Sequence, residues 1–406
     1  MKVAMLGWEL PPHNSGGLGV ACYQLCRALS DSGMEIDFFL PYSDEHDIDF
    51  MNVRHAVPAG AEWVRRLGSA YESFKYGLSG GAVVEVGLLE HQDEFAAAAA
   101  ELVTNEPFDV IHAHDWLTFL AGVRAKEKSG LPLVVHVHSV EADRSGQHHG
   151  GNPLVREIEE AGLLAADSII AVSEHTKKAI IREYNIPAHK VTVIHNSIDH
   201  SFFASGGQQA SEFEYQYIEA LKAAGWRIVI NLGRLTIQKG LDYLLRATAQ
   251  AVKTSPKTLL VFVGDGEQRD ELIMKAAEYD IADKVLFAGF QRGRRWRDAY
   301  KMADLFVMPS VSEPFGIAPL EAIGYDTPVL ISKQSGVAEV LKNALKVDFW
   351  DVDKMAEYIS AVSSNDALRD ELRDSAKREL LSHSWHKQVP HFTNLYQRII
   401  AAGARA

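Results

Sequence analysis

The sequence predicts an α/β protein built from two doubly wound, Rossmann-like domains in tandem, with an interdomain cleft. Three observations carry that prediction. Short runs rich in Val, Ile, Leu and Phe alternate with amphipathic helical patterns along the chain. The alternation restarts after a polar, glycine-bearing stretch at 205–211. The length of 406 residues also exceeds one ordinary core, at roughly 150 residues per domain.

The first domain opens with a strand at 2–6, a helix at 17–31 and a strand at 35–40, a βαβ unit. Further strands are expected at 83–86, 110–113, 133–138, 168–172 and 191–194, near-continuous apolar runs that suit a parallel sheet covered on both faces. The second domain restarts with a strand at 227–232 and a helix carrying Leu241, Leu244, Leu245, Thr248 and Val252 on one face. Its other strands are expected at 259–263, 285–288, 305–308 and 329–331. Domain limits follow at 1–200 and 201–385, with 386–406 a helix packing back on the first domain. The tail from 355 to 405 is helical by composition and interrupted near Ser384 and Pro390.

Composition bounds the function. Apolar residues make up 47% and charged residues 23%, the balance of a chain that buries a core. A formal charge of −13 repels nucleic acid and anionic headgroups and excludes a polyanionic partner. No apolar run reaches the length of a membrane span, about 18 residues. Trp8 and Glu9 break the first apolar run before a signal peptide could form, so the cytoplasm is expected. Cys22 and Cys26, the only cysteines, read as reduced thiols on the first helix.

Four constellations carry chemistry. Between the first strand and first helix, Gly16, Gly17 and Gly19 let the backbone approach a ligand, and the amides of a helix start favour a phosphate. At the matching place in the second domain, Gly233, Arg234 and Lys239 follow a buried strand. There a guanidinium can grip a diphosphate in two places, and an ammonium adds a point charge. After the strand at 305–308 come Glu313, Phe315, Gly316, Ile317, Pro319 and Glu321. Pro319 suits the first turn of a helix, the amides before it point outward, and two carboxylates suit a sugar and a ribose. Finally, His112, His114 and Asp115 end one strand and His136 and His138 another. One histidine of each pair is expected to face the cleft and the other to sit satisfied in the core, with no metal between them. The basic run 292–297 and the acidic triplets at 47–49 and 351–353 read as solvated faces or helix caps.

Together these residues resemble the glycosyltransferases of family four and the neighbouring bacterial and archaeal glycogen synthases, and most nearly the short glycogen-synthase-like branch. The resemblance spans nearly the whole chain. It rests on the Gly16-Gly17 loop, the run 110–116, His138-Ser139, Asn196 to Asp199, Arg234 with Lys239, Gly264-Asp265-Gly266 and the segment from Glu313 to Glu321. Trp8 to His13 and Ile331 to Val337 add to it. It implies the GT-B fold and retention of anomeric configuration with no cofactor and no strict need of a metal. The partners are then a nucleotide-sugar donor and a carbohydrate acceptor.

By the same resemblance, Arg234 and Lys239 neutralise the leaving diphosphate, Glu313 holds the donor sugar and Glu321 the ribose. His138 meets the sugar with its side chain and steadies the transition state with its main-chain carbonyl. Gly16, Gly17, Asp115, Asn196, Gly233, Gly264, Phe315, Gly316, Ile317, Ser335 and Gly336 complete the donor pocket. Bacterial starch and glycogen synthases commonly carry Lys two positions before the paired glycines, where this chain has Asn14. The expected reaction is glucosyl transfer from UDP-glucose or ADP-glucose to an α-glucan or related acceptor. A mannosyl- or other hexosyltransferase acting on a lipid-linked or small acceptor, a nucleotide-sugar epimerase and a silent carbohydrate-binding subunit are the alternatives.

Overall fold

The computed structural model describes residues 1–14, 16–67, 71–145, 151–199, 203 and 213–403. Its contacts divide the chain into two units, Met1–Ser197 together with the last helix, and Ile198–Ser384. The polar stretch at 205–211 lies outside the described residues.

The first unit contains β1 (Lys2–Leu6), α1 (Gly17–Asp31), β2 (Glu35–Leu40), β3 (Asn52–His55), β4 (Ala61–Arg66), β5 (Phe74–Leu78), β6 (Val83–Val86) and α2 (Leu88–Thr104). It continues with β7 (Val110–His114), α3 (Trp116–Ser129), β8 (Leu133–Val137), α4 (Glu141–Arg144), α5 (Pro153–Ala165), β9 (Ser168–Ala171), α6 (Glu174–Tyr184) and β10 (Val191–Val193). Seven strands form one parallel sheet in the order β10-β9-β8-β7-β1-β2-β3. Its central strands β1, β7, β8 and β9 are buried almost throughout, as their apolar runs require of a sheet covered on both faces. The helix α1 buries Ala21, Cys22, Leu25, Cys26, Ala28 and Leu29 along one stripe, and both cysteines are free thiols.

The strand at 83–86 departs from the sequence expectation. It is β6 of a separate antiparallel sheet, β4-β5-β6, and exposes Val83 and Val84 rather than burying them. Valine favours any pleated surface, so its presence fixes a strand without fixing the sheet that strand joins.

The second unit contains α7 (Phe213–Ala223), β11 (Arg227–Leu232), α8 (Leu241–Thr254), β12 (Thr258–Val263), α9 (Arg269–Glu278), β13 (Val285–Gly289) and α10 (Gly293–Met302). Then follow β14 (Leu305–Met308), α11 (Ala318–Gly324), β15 (Val329–Ser332), β16 (Leu345–Val347), α12 (Val352–Ser364) and α13 (Asp366–Leu380). Its six-stranded parallel sheet runs β13-β12-β11-β14-β15-β16. The core packs Leu241, Leu244, Leu245 and Ala251 of α8 against Leu260, Phe262 and Val307 of the sheet and Met355 and Ile359 of α12. The acidic residue Asp351 caps α12 by accepting from the Lys354 amide.

The last helix, α14 (Trp385–Gly403), belongs to the first unit. Its His386 Nε2 lies 2.9 Å from Asp31 Oδ2 at the end of α1, and Tyr396 reaches His112 on β7. Pro390 does not break it. The tail stops being helical at Asn365 and at 381–384, and Pro390 sits inside α14, where it removes one N–H from the ladder but leaves the helix running.

Candidate functional site

In each sheet the chain order reverses once, between β1 and β7 in the first unit and between β11 and β14 in the second. Because every strand of these sheets is parallel, the loops after them gather at one edge. The reversal opens a crevice there, the usual ligand position in open α/β sheets. Most of the sequence-predicted residues fall into these loops, with Gly17 opening α1 and Glu321 inside α11.

In the second unit, Gly233 and Arg234 follow β11, and Lys239 closes the short turn before α8. Gly233 and Gly264 must both be glycine. A Cβ on Gly264, whose φ is +147°, would stand 1.9 Å from the Gly233 carbonyl oxygen. Lys239 Nζ donates to Glu313 Oε2 at 2.6 Å, and Ser310 Oγ donates to the same oxygen at 3.0 Å. Lys239 and Glu313 are 74 positions apart, and the pairing of β11 with β14 makes their loops neighbours. A third loop locks onto the second. The Glu313 amide donates to the Gln334 carbonyl at 3.1 Å, the Gly336 amide to the Glu313 carbonyl at 2.9 Å and the Val337 amide to the Phe315 carbonyl at 2.7 Å. Ser335 thereby bridges to Glu313 as an isolated strand pair. Gly316 takes φ +87° within this weave, and Ile317 caps α11 with Pro319 in its first turn.

Arg234 is exposed and makes no ion pair among the described residues. Glu321, inside α11, is buried and accepts from Tyr300 Oη at 3.0 Å. Burial pushes its carboxyl up to about 7, against the opposing pull of that hydrogen bond. The exposed Arg292, Arg294 and Arg295 lie at the start of α10, in keeping with a solvated basic face.

In the first unit, Gly16 caps α1 in extended backbone and Gly17 begins the helix. A Cβ on Gly17 would meet nothing within 4 Å, whereas one on Gly19 would strike Asn14 Cβ at 2.8 Å and the Glu9 carbonyl at 3.0 Å. Gly19 is therefore the glycine the loop itself needs, and open space lies over Gly17. Asn14 Nδ2 donates to the Gly16 carbonyl at 2.9 Å, and Arg66 bridges the buried Glu9 carboxylate and the His13 carbonyl, bracing the same loop.

Asp115 follows β7 with φ 58° and ψ 170°, backbone that a non-glycine residue rarely adopts and that marks a strained position. Its Oδ1 accepts from the His138 amide at 2.6 Å and the Ser139 amide at 3.2 Å, so it clamps the turn after β8 and fixes the direction of that backbone. Burial pushes the Asp115 carboxyl up to about 7, with the Arg144 charge and the two amides opposing it. Asn196, beyond β10, is buried, and its Oδ1 has no partner among the described residues.

The histidines correct half of the sequence expectation. His112 and His114 are both fully buried, so that pair is not divided, whereas in the second pair His136 is fully buried and His138 partly accessible. Residues two apart on a strand share a face, and β7 pairs with β8 in a register that sets His114 beside His136. The rings stack at 4.4 Å for His112 with His114 and 4.3 Å for His136 with His138. His114 Nδ1 lies 3.0 Å from His138 Nε2, and Tyr396 Oη lies 2.5 Å from His112 Nδ1. Burial lowers all four; His112 and His138 fall to about 3 and are neutral at physiological pH. Among the described residues, two groups place their ligand atoms within 4.8 Å of one another and could hold an ion, Cys22 with His114 and His138, and His112 with His114 and His136.

Arg66, Arg144 and Tyr300 escape sequence reasoning. Each acts by supporting a residue far along the chain, and no local motif marks such a pairing.

The geometry finds its counterparts among known proteins. Residues 15–202 match the family described as Glycosyltransferase Family 4, and residues 218–379 match Glycosyl transferases group 1. An uncharacterized glycosyltransferase of Methanocaldococcus jannaschii is 29% identical over 98% of both chains. A glycogen synthase of Mycobacterium tuberculosis is 26% identical over 94% of this chain and 91% of its own, and a D-inositol 3-phosphate glycosyltransferase of Salinispora arenicola 27% identical over 96% and 88%.

Among solved structures, sucrose-phosphate synthase from Thermosynechococcus elongatus superposes with a TM-score of 0.74 at 22% identity over 99% of both chains. Starch synthase IV from Arabidopsis thaliana, bound to ADP and acarbose, gives 0.72 at 17% identity over 98% and 99%. Anabaena HepE in complex with UDP-glucose gives 0.70 at 18% identity over 97% and 99%. No described helix is long and apolar enough to cross a membrane. With two parallel α/β units, loops gathered at the strand ends and both family matches in register with those units, the chain belongs to the GT-B glycosyltransferases of family four, near the glycogen-synthase-like members.

Proposed function

We propose that this chain is a retaining glycosyltransferase that moves glucose from UDP-glucose or ADP-glucose onto an α-glucan or related carbohydrate acceptor, in the manner of a glycogen synthase. The observation that carries the reading is the Lys239–Glu313 pair at 2.6 Å beside the exposed Arg234, at the reversal point of the second sheet. Two cations at such a site suit a nucleoside diphosphate leaving group, and the neighbouring carboxylate suits the hydroxyls of the sugar it carries. The ligands in the Arabidopsis and Anabaena structures, ADP with acarbose and UDP-glucose, favour the same donor class.

In this reading the bond from the sugar C1 to the diphosphate oxygen breaks while the acceptor oxygen bonds to C1 on the same face. The acceptor proton passes to the departing phosphate oxygen, so no separate protein base is required. Arg234 and Lys239 stabilise the charge that develops on the diphosphate, which fixed charges do best because they need no rearrangement as the reaction proceeds. Glu313 holds the sugar hydroxyls and Glu321 the ribose. Gly233, Gly264, Phe315, Gly316, Ile317, Ser335 and Gly336 shape the rest of the donor pocket.

From the first unit, Gly16 and Gly17 give the phosphates room and Asn196 adds a polar side chain. His138 meets the sugar, its carbonyl held by the Asp115 clamp toward positive charge developing at C1. Charge neutralisation by side chains leaves the reaction no need of a metal. Two unpaired buried thiols fit a cytoplasmic location.

The stereochemistry is the test. When malto-oligosaccharide is extended from the active glucose donor, an amylase specific for α-linked chains degrades the added residues. A product that resists that enzyme while the primer is digested excludes retention.

A further inference from the structure

The first unit gathers a thiol and two imidazoles whose meeting serves no step of the transfer. Cys22 Sγ, one nitrogen of His114 and one of His138 all lie within 4.8 Å of one another. Three elements bring them there. Cys22 stands on α1, His114 ends β7, and His138 follows β8, which pairs with β7. His138 is only partly buried, which gives an ion a way in, whereas His112, His114 and His136 form a group buried throughout.

The two imidazoles are already aimed at each other, with His114 Nδ1 3.0 Å from His138 Nε2. The other ring nitrogen of His114, Nε2, lies 3.0 Å from Met5 Sδ, which has lone pairs and no hydrogen to give. Nε2 of His114 therefore carries the ring hydrogen, and its Nδ1 turns a lone pair toward His138. Tetrahedral zinc, at about 2.0–2.1 Å from each nitrogen, sets two nitrogens about 3.3 Å apart, so the pair parts by only about 0.3 Å to admit an ion.

The donors decide which ion fits. One thiol and two imidazoles suit a thiophilic metal such as zinc and discriminate against magnesium and calcium, which take oxygen ligands. The Asp115 and Glu9 carboxyl groups near Cys22 disfavour a thiolate standing alone, and a bound cation reverses that balance. As the sulfur–metal bond forms, the Cys22 thiol proton leaves to solvent. His138 moves its ring hydrogen to Nδ1, so both imidazoles stay neutral.

We propose that Cys22, His114 and His138 form a binding site for one thiophilic metal ion, which shuts the transfer down by occupying the His138 nitrogen. The control of the reaction rests on the glycosyltransferase reading, in which the His138 side chain meets the sugar; the binding of the ion does not.

The test uses the full chain with cobalt(II) and zinc as the probes. With one equivalent of cobalt, wild type shows a sulfur-to-metal charge-transfer band. Cys22→Ala loses that band, and Cys26→Ala, which removes the thiol one turn further along α1, keeps it. X-ray absorption of the zinc-loaded wild type, which needs no variant, finds one sulfur at about 2.3 Å and two nitrogens at about 2.0–2.1 Å. Zinc lowers nucleoside diphosphate release with the glucose donor and malto-oligosaccharide, and a chelator restores it. Cys22→Ala needs about a hundredfold more zinc for the same loss. Its turnover without zinc stays close to that of wild type, since the thiol takes no part in the transfer. No charge-transfer band in wild type, or one that survives in Cys22→Ala, overturns the metal site and leaves the transferase reading intact. A band that depends on Cys22 without inhibition by zinc overturns the control of the reaction. A protein that binds the ion in this way and releases nothing from any donor in metal-free buffer overturns the transferase reading and leaves the metal site standing.

Discussion

Lys239→Ala lowers the rate of nucleoside diphosphate release about a hundredfold to a thousandfold, because it removes a fixed positive charge from the place where negative charge builds as the sugar leaves. The loss falls mainly on kcat. In the free protein Lys239 is already paired with Glu313 at 2.6 Å, so binding the donor ground state gains less from it than the departing diphosphate does. Arg234→Ala moves in the same direction with a larger share in donor KM, since the exposed guanidinium has no ion pair to give up among the described residues. Steady-state kinetics at saturating acceptor separates the two patterns. A Lys239→Ala enzyme with turnover within about threefold of wild type removes the diphosphate-stabilising role.

Glu313→Gln separates the two ends of the donor. The substitution keeps the shape of the side chain and its contact with Ser310 but removes the charge that neutralises Lys239. Transfer falls about a hundredfold as a charged hydrogen-bond acceptor for the sugar hydroxyls is lost. The free nucleoside diphosphate, which carries no sugar, gains an unpaired Lys239 and binds about three- to fivefold tighter, the scale of a partly exposed ion pair. Opposite signs on transfer and on diphosphate binding are hard to obtain from a damaged fold. If calorimetry shows both falling together, Glu313 serves mainly to hold the loops at 309–317 and 333–337 in place.

What the sequence made legible follows from the range over which each signal acts. The opening βαβ unit and the strands Arg227–Leu232 and Leu305–Met308 could be read to their ends, because their apolar runs and the turns that stop them are local. The half-exposed edge strand β3 and the short β16 carry no comparable run and were not anticipated. Nor was the antiparallel pairing of Val83–Val86, since a partner strand leaves no mark on the residues it will face.

The site divides in the same way. Arg234, Lys239 and Glu313 stood out as charges in glycine-bearing turns after buried strands, where a solvated face has no reason to be, and Glu321 as a carboxylate in the helix that follows. The union of Lys239 with Glu313 required the strand order, and the stacking of four histidines required the register of β7 on β8. Asp115 was visible as an acid beside a histidine, but its left-handed backbone and its clamp on the next strand's turn depend on three-dimensional packing. Pro390 shows the converse, a strong local signal overridden where the rest of α14 packs well enough to absorb one missing hydrogen bond.

The most direct measurement mixes the purified protein separately with UDP-glucose, ADP-glucose and GDP-mannose, with and without malto-oligosaccharide, and follows nucleoside diphosphate release. The account predicts release from one glucose donor that rises strongly when malto-oligosaccharide is present. Acceptor-independent behaviour with every donor, or acceptor-dependent release from GDP-mannose alone, contradicts it.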